Sequence, residues 1–186
     1  RLKKDVLQDL PDKTKQVIEL PPSRAIKRIL DEELRVWKTS EETVAALRER
    51  REQAQKAGNE TQFRELGLKL NDAMTVRMQD MSRIRAELAE LKAPYVVEYL
   101  KDMLEETKQV IVFCHHRSLI LALQSAMAKE EMNPVIIHGE VNQTDRQKAV
   151  DDFQAGRSRV FIGSIQAAGT GITLTASSTV LFSECD

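Results

Sequence analysis

The spacing of apolar residues changes twice along the chain. Between Ser23 and Lys92 they recur at steps of three and four. Ile26, Ile29, Leu30 and Leu34 form one helical stripe, and Trp37 extends it. Thr39 with Glu42 makes a capping box, which predicts a second helical segment starting there. Gly58-Asn59 is the strong breaker of this zone. Beyond it Phe63, Leu66, Leu70, Met74, Met78 and Met81 repeat, prolonged by Leu88 and Leu91. Arg, Lys, Glu and Gln fill the other faces. The pattern predicts two long antiparallel helices that meet near Gly58 and bury these stripes against each other. Methionines in such a stripe suit an adaptable core contact.

From Ala93 onward strand and helix patterns alternate. Pro94 suits the first turn of a helix through Leu104. Val110 to Cys114 is a continuous apolar run, as in a strand buried on both faces. Ser118 to Lys129 reads as a helix with Leu119, Leu123 and Met127 on one face, and Val135-Ile136-Ile137 as the next strand. Thr144 with Gln147 predicts a second capping box, opening a helix that carries Ala149, Val150 and Phe153 and stops at Gly156. Arg159 to Ile162 and Thr179 to Phe182 are the remaining strands. Repeats of this kind imply a parallel sheet with helices on both faces. The opening stretch to Pro22 is mixed, and its run Gln16 to Leu20 predicts a short strand that Pro22 ends.

Composition narrows the function classes. Lys and Arg number 28 and Asp and Glu 29, a net charge of −1, which excludes a dedicated polybasic nucleic-acid or membrane-surface protein. Aromatics are 4%, too few for base-stacking platforms on single strands. A charged share of 31% fits long solvated helices. Cys114 and Cys185 sit in apolar runs and read as buried, reduced thiols of an intracellular protein. No apolar run reaches membrane-spanning length, no signal peptide opens the chain, and the chain reads as a piece cut at both ends.

In parallel sheets ligands bind in the loops at the strands' carboxyl ends. After the first core strand comes His115-His116-Arg117-Ser118, at the start of a helix and suited to phosphate, or a plain turn with Ser118 as the cap. Two adjacent histidines without a carboxylate or thiolate at ligand spacing do not make a metal site. After the second strand comes His138-Gly139-Glu140, where Gly139 allows close backbone approach; it reads as a turn, or as an acid–base pair that no nucleophile accompanies. After Ile162 a run from Gly163 to Leu174 concentrates small residues, hydroxyls and the glycines Gly169 and Gly171. Such a loop lets backbone approach a phosphate or ribose, or packs tightly. No Gly-Lys-Ser/Thr ends it, so it is not a Walker A loop.

Together, Val110 to Ser118, Ile137 to Phe153 with Arg146 inside, and Ser164 to Thr175 followed by Val180 to Glu184 resemble motifs IV, IVa and V of superfamily 2 helicases. They are most similar to SWI/SNF-like DNA-dependent ATPases. The form Ala-Ala-Gly-Thr-Gly-Ile-Thr-Leu-Thr-Ala-Ser-Ser with Glu184 beyond it looks like their distal, annealing-helicase-like branch. Arg1 to Pro11 resembles the segment that leads into the second motor lobe. The resemblance implies a RecA-like α/β lobe over 93–186, reached through 1–22, with a helical hairpin inserted at 23–92. It implies an ATP cleft shared with a first lobe that carries the Walker A lysine and holds Mg. The arginine-rich motif VI is expected shortly after Asp186. No catalytic residue is then expected in this chain, and the chain alone is expected not to hydrolyse ATP.

By the same resemblance Gly169, Gly171 and Thr173 would face ATP, with Thr173 where many relatives have Asn or Asp. Ser164 and Gln166 would face DNA phosphates, and His115, His116, Arg117 and Gly139 would line the same backbone track. Arg146 is either a tie to the sheet or a DNA contact, and Glu184 a strand-end cap. DNA would be held through its backbone, without base readout, weakly and in a salt-dependent way. The location would be nuclear in a eukaryote, and cytoplasm or nucleoid in a bacterium or phage. The rival readings are another superfamily 2 helicase or restriction-type translocase lobe, and a non-catalytic interaction module. The last predicts an exposed apolar stripe on the hairpin.

Overall fold

The computed structural model describes residues 14–21, 23–169 and 171–184. Residues 14–21 form no strand, and Val17 is 90% exposed. The expected strand over Gln16 to Leu20 therefore fails. The sheet's edge strands are Val135–Ile137 and Val180–Phe182, and neither pairs with this run. The likeness of Arg1 to Pro11 lies outside the described residues.

Helix α1 spans Arg24–Lys56. Ser23 caps it, its Oγ accepting from the Ile26 N–H at 3.2 Å. The helix runs unbroken through Thr39, so no second segment starts there. The hydroxyls of this stretch turn back instead: Ser40 donates to the Trp37 carbonyl and Thr43 to that of Thr39. A hydroxyl satisfied within the helix does not interrupt it. Gly58, at φ +69°, takes the reversal. Asn59 then caps helix α2, Glu60–Glu106, by accepting from the Gln62 N–H at 3.1 Å.

Helix α2 holds 47 residues and carries Pro94 in its interior. The expected helix start at Pro94 is overturned. Pro94 and Glu90, whose carbonyl loses its partner there, both lie on the exposed side, where water can meet that carbonyl. The two helices pack antiparallel. Ion pairs cross between them at Arg28–Glu87, Glu32–Arg83, Glu33–Arg85 and Glu41–Arg77. Ile26, Ile29 and Val44 of α1 and Leu66, Leu70, Met81 and Ile84 of α2 are buried. The expected stripes are only partly hidden. Leu34 (69%), Trp37 (47%) and Met78 (72%) stay exposed, with the Arg77 guanidinium over the Trp37 ring.

Strand β1 is Val110–Cys114, β2 Val135–Ile137, β3 Val160–Ser164 and β4 Val180–Phe182. They form one parallel sheet in the order β2-β3-β1-β4. Between them run α3, Arg117–Lys129, α4, Gln143–Gln154, and the short α5, Ile165–Ala168. Asn142, not Thr144, caps α4, accepting from the Asp145 N–H at 2.9 Å. An Asx residue preceding the helix has its oxygen already in place for that bond.

Alternation along the strands feeds two cores. Val110, Val112, Cys114, Val160 and Ile162 pack on α3 and on the last third of α2 through Ala93, Val96, Val97 and Leu100. Ile111, Ile137 and Phe161 pack on Ala149 and Phe153 of α4. Each such fully buried aliphatic or aromatic side chain contributes about 1.5–3 kcal/mol. Arg159 donates to the carbonyls of Leu104, Thr107 and Lys108, fastening the carboxyl end of α2 to the sheet. The long helix thus belongs to both the hairpin and the lobe.

Candidate functional site

All four strands point the same way, so the turns after β1, β2, β3 and β4 share one rim. Cys114 pairs with Ser164 and Ile137 with Gly163 at that rim. Side chains then tie the turns together. Arg117 at the start of α3 forks onto both carboxylate oxygens of Glu140, the second bond being 2.6 Å. Both side chains are more than half exposed. Arg146 on α4 donates to the backbone carbonyls of Val141, His138 and Ala167 at 2.9, 3.0 and 2.9 Å. Three donors spent on carbonyls make Arg146 a tie between the second and third turns.

The turn after β1 is held from the other side. Glu184, 8% exposed, accepts from the backbone N–H groups of His115 and His116. Its second oxygen meets His116 Nδ1 at 2.5 Å. Glu184 is thus more than a cap on its own strand. Helix α3 starts at Arg117, after His116, which gives it no side-chain cap. The expected cap Ser118 instead has its Oγ buried without a partner. Behind the turn, burial pushes the Cys114 thiol up from the ordinary 9.0 to about 12, although the Ser183 hydroxyl opposes the shift. Cys114 is buried as expected, and Cys185 lies outside the described residues.

The expected DNA-facing residues lie along this rim. His115, Arg117, Gly139 and Gln166 are exposed, Ser164 is half-buried, and the His116 ring is turned inward to Glu184. Gly169 closes α5 and lies against it. A Cβ there would sit 2.3 Å from the Ile165 carbonyl oxygen, so close packing accounts for this glycine. Gly171 has φ +76° and open space around it. From Gly171 the chain runs extended over the sheet. Ile172, Leu174 and Ala176 pack inward, and Gly171, Thr173 and Thr175 face out.

That run carries Thr173 away from the rim. Gln154, the last residue of α4, donates to the Thr173 carbonyl and the Thr175 hydroxyl and accepts from the Ala176 N–H. Helix α4 starts at the rim and spans 12 residues, about 18 Å, so Thr173 lies near the opposite end of the strands. Neither the Gln154 clamp nor the Arg117–Glu140 fork carries a sequence signal, because each joins residues more than 15 positions apart. Among the described residues no group of three His, Cys, Asp or Glu side chains is placed to hold a metal ion. None of their helices is long and apolar enough to cross a membrane.

The sequence comparisons with known proteins converge on one family. Residues 93–186 match the helicase conserved C-terminal domain. The human DNA annealing helicase and endonuclease ZRANB3 is 31% identical over 186 residues, 99% of this chain and 15% of the relative. The Drosophila melanogaster SWI/SNF-related matrix-associated actin-dependent regulator of chromatin subfamily A-like protein 1 is 35% identical over 105 residues, 56% of this chain and 14% of the relative. The chain thus spans about a seventh of these relatives. Among solved structures, the C-terminal domain of the Sulfolobus solfataricus SWI2/SNF2 ATPase superposes with a TM-score of 0.47 at 16% identity, covering 83% of this chain and 67% of that one. The chain belongs to the helicase conserved C-terminal domain family and is homologous to SWI/SNF-related annealing helicases.

Proposed function

We propose that this chain is the second motor lobe of an ATP-dependent DNA translocase or helicase. In this reading 93–186 is the lobe, 23–92 its hairpin insertion and 1–22 the approach to it. One observation carries the reading: the turns after all four strands are knit into a single exposed rim by Arg117–Glu140, Arg146 and Glu184. Arg117, Gly139, Ser164 and Gln166 on that rim would meet DNA phosphates, without reading bases.

ATP would be shared with a first motor lobe. The run from Gly163 to Ala176 fits one wall of such a cleft: it holds no charged side chain, and the space beside Gly171 is open. Gly169 and Gly171 would offer backbone there. Thr173 fits less well, because its carbonyl is engaged by Gln154 at the far end of α4. Mg would be held by the first lobe, and the bound nucleotide would supply the phosphoryl group for hydrolysis. The chain alone would not hydrolyse ATP, and its place would be with cellular DNA.

The test is fluorescence anisotropy of this chain with duplex, forked and single-stranded DNA across a salt series. Weak binding, insensitive to sequence and steeply weakened by salt, is expected. Absence of binding to every DNA form at low salt would overturn the reading. The exposed Leu34, Trp37 and Met78 favour a second role for the hairpin, as a docking face for a protein partner.

A further inference from the structure

The amino end of a helix of ordinary length attracts anions, because its first N–H groups lack partners and its dipole is positive there. Just ahead of α3, which starts at Arg117 with His116 as its N-cap, two backbone donors are already taken from within. Glu184 Oε2 accepts from the His115 N–H at 2.7 Å and the His116 N–H at 3.0 Å, and Oε1 meets His116 Nδ1. The Glu184 side chain is 5% exposed and that of His116 13%. With both Glu184 oxygens in accepting positions, the His116 tautomer that completes the set is the one with its proton on Nδ1. The neighbours of the pair are the Cys114 thiol, joined to the Ser183 hydroxyl, and the His115 ring, edge-on to His116 at 4.8 Å. Arg117 faces the other way, onto Glu140.

We propose that Glu184 is a positioning residue that takes the two backbone donors just ahead of α3, the His115 and His116 N–H groups, in place of a phosphate. The outward contact of this turn with DNA is then made by the Arg117 guanidinium, and not by the His115–His116 backbone or the His116 ring. The proposal rests on the reading of the rim as the DNA face and narrows it. The carboxylate fixes the turn, and the turn fixes where Arg117 starts.

Nuclear magnetic resonance of the labelled 186-residue chain tests this, with Glu184→Gln and Glu184→Ala beside the wild type. In the wild type the His116 Nδ1 carries the proton, and inorganic phosphate leaves the His115 and His116 amide signals in place. In Glu184→Gln the imidazole nitrogen shifts move as the tautomer redistributes, a change that a packing role alone would not produce. In Glu184→Ala phosphate moves the amide signals of residues 115 to 117. Should the Ala variant not fold, the wild type and the Gln variant still decide. Phosphate-dependent shifts at His115 and His116 in the wild type overturn the proposal, as does a His116 Nδ1 without its proton. Duplex DNA is expected to shift the Arg117 side-chain signals and spare those two amides. The reverse pattern overturns the proposal, whereas absence of DNA binding overturns the reading of the rim and leaves the phosphate and tautomer results to judge Glu184.

Discussion

Arg146 donates from Nη1 to the backbone carbonyl of Ala167 at 2.9 Å, joining the helix after β2 to the turn after β3. With the bonds to His138 and Val141 the guanidinium satisfies three carbonyls from two turns. A lysine has one nitrogen and cannot reach all three. A hydrogen bond from a charged group is worth about 1.5–3 kcal/mol. Arg146→Lys is therefore expected to lower stability by about 2 kcal/mol in urea unfolding, and the charge-removing Arg146→Gln to leave the salt slope of DNA binding unchanged. A slope reduced by one phosphate contact would make Arg146 a DNA ligand instead.

Gly169 is expected to resist substitution for a steric reason that needs no nucleotide. A Cβ placed 2.3 Å from the Ile165 carbonyl oxygen forces backbone to move. Gly169→Ala should cost about 1–3 kcal/mol, the range for overpacking. Gly171→Ala, in open space at φ +76°, should cost about 1–2 kcal/mol from its left-handed backbone alone. Thermal unfolding of both variants without ligand checks the pair, and equal stability of Gly169→Ala and wild type would refute the packing account.

The buried Cys114 thiol gives stability a dependence on alkaline pH. Below pH 9 the thiol is protonated in both folded and unfolded chains. Between 9.0 and about 12 the unfolded chain loses the proton and the folded one keeps it, so stability falls as pH rises. The slope approaches about 1.4 kcal/mol per pH unit. Urea midpoints at pH 8.5 and about pH 10.5, compared with those of Cys114→Ala, isolate this slope from other titrating groups. A thiol reagent at pH 8 should leave Cys114 of the folded chain unlabelled.

The Arg117–Glu140 fork is exposed on both sides, so it contributes about 0–1 kcal/mol to stability. Its carboxylate competes with any phosphate for the same guanidinium. Glu140→Gln is expected to leave the unfolding midpoint nearly unchanged and to tighten DNA binding several-fold at low salt. Anisotropy titrations check this, and unchanged or weaker binding would remove Arg117 from the DNA face.

The parallel sheet was legible because Val110 to Cys114 and Val135 to Ile137 are continuous apolar runs, and no other element leaves both faces of a strand dry. The hairpin was legible from its three-and-four spacing. Signals from one or two residues misled where packing overrode them. Thr39 and Pro94 punctuate an isolated helix, but cross-helix pairs such as Glu41–Arg77 and a sheet face under Ala93 and Val96 hold the helix continuous through each. Gln16 to Leu20 has strand composition and no ladder to join. At the rim, sequence located the turns and missed what ties them. Glu184 lies 68 positions beyond His116, and nothing local announces their contact.

The 47-residue helix α2 has a mechanical consequence. Its last third is cemented to the sheet by Ala93, Val96 and Leu100, and its first half carries α1. The stretch from Ala89 back to Glu60 extends about 45 Å without a joint. Hairpin and sheet therefore move as one stiff lever. A tilt of about 10° at the sheet sweeps the tip at Gly58 through about 8 Å, so small rotations of the lobe are magnified into displacements large enough to strike or release whatever lies beside that tip.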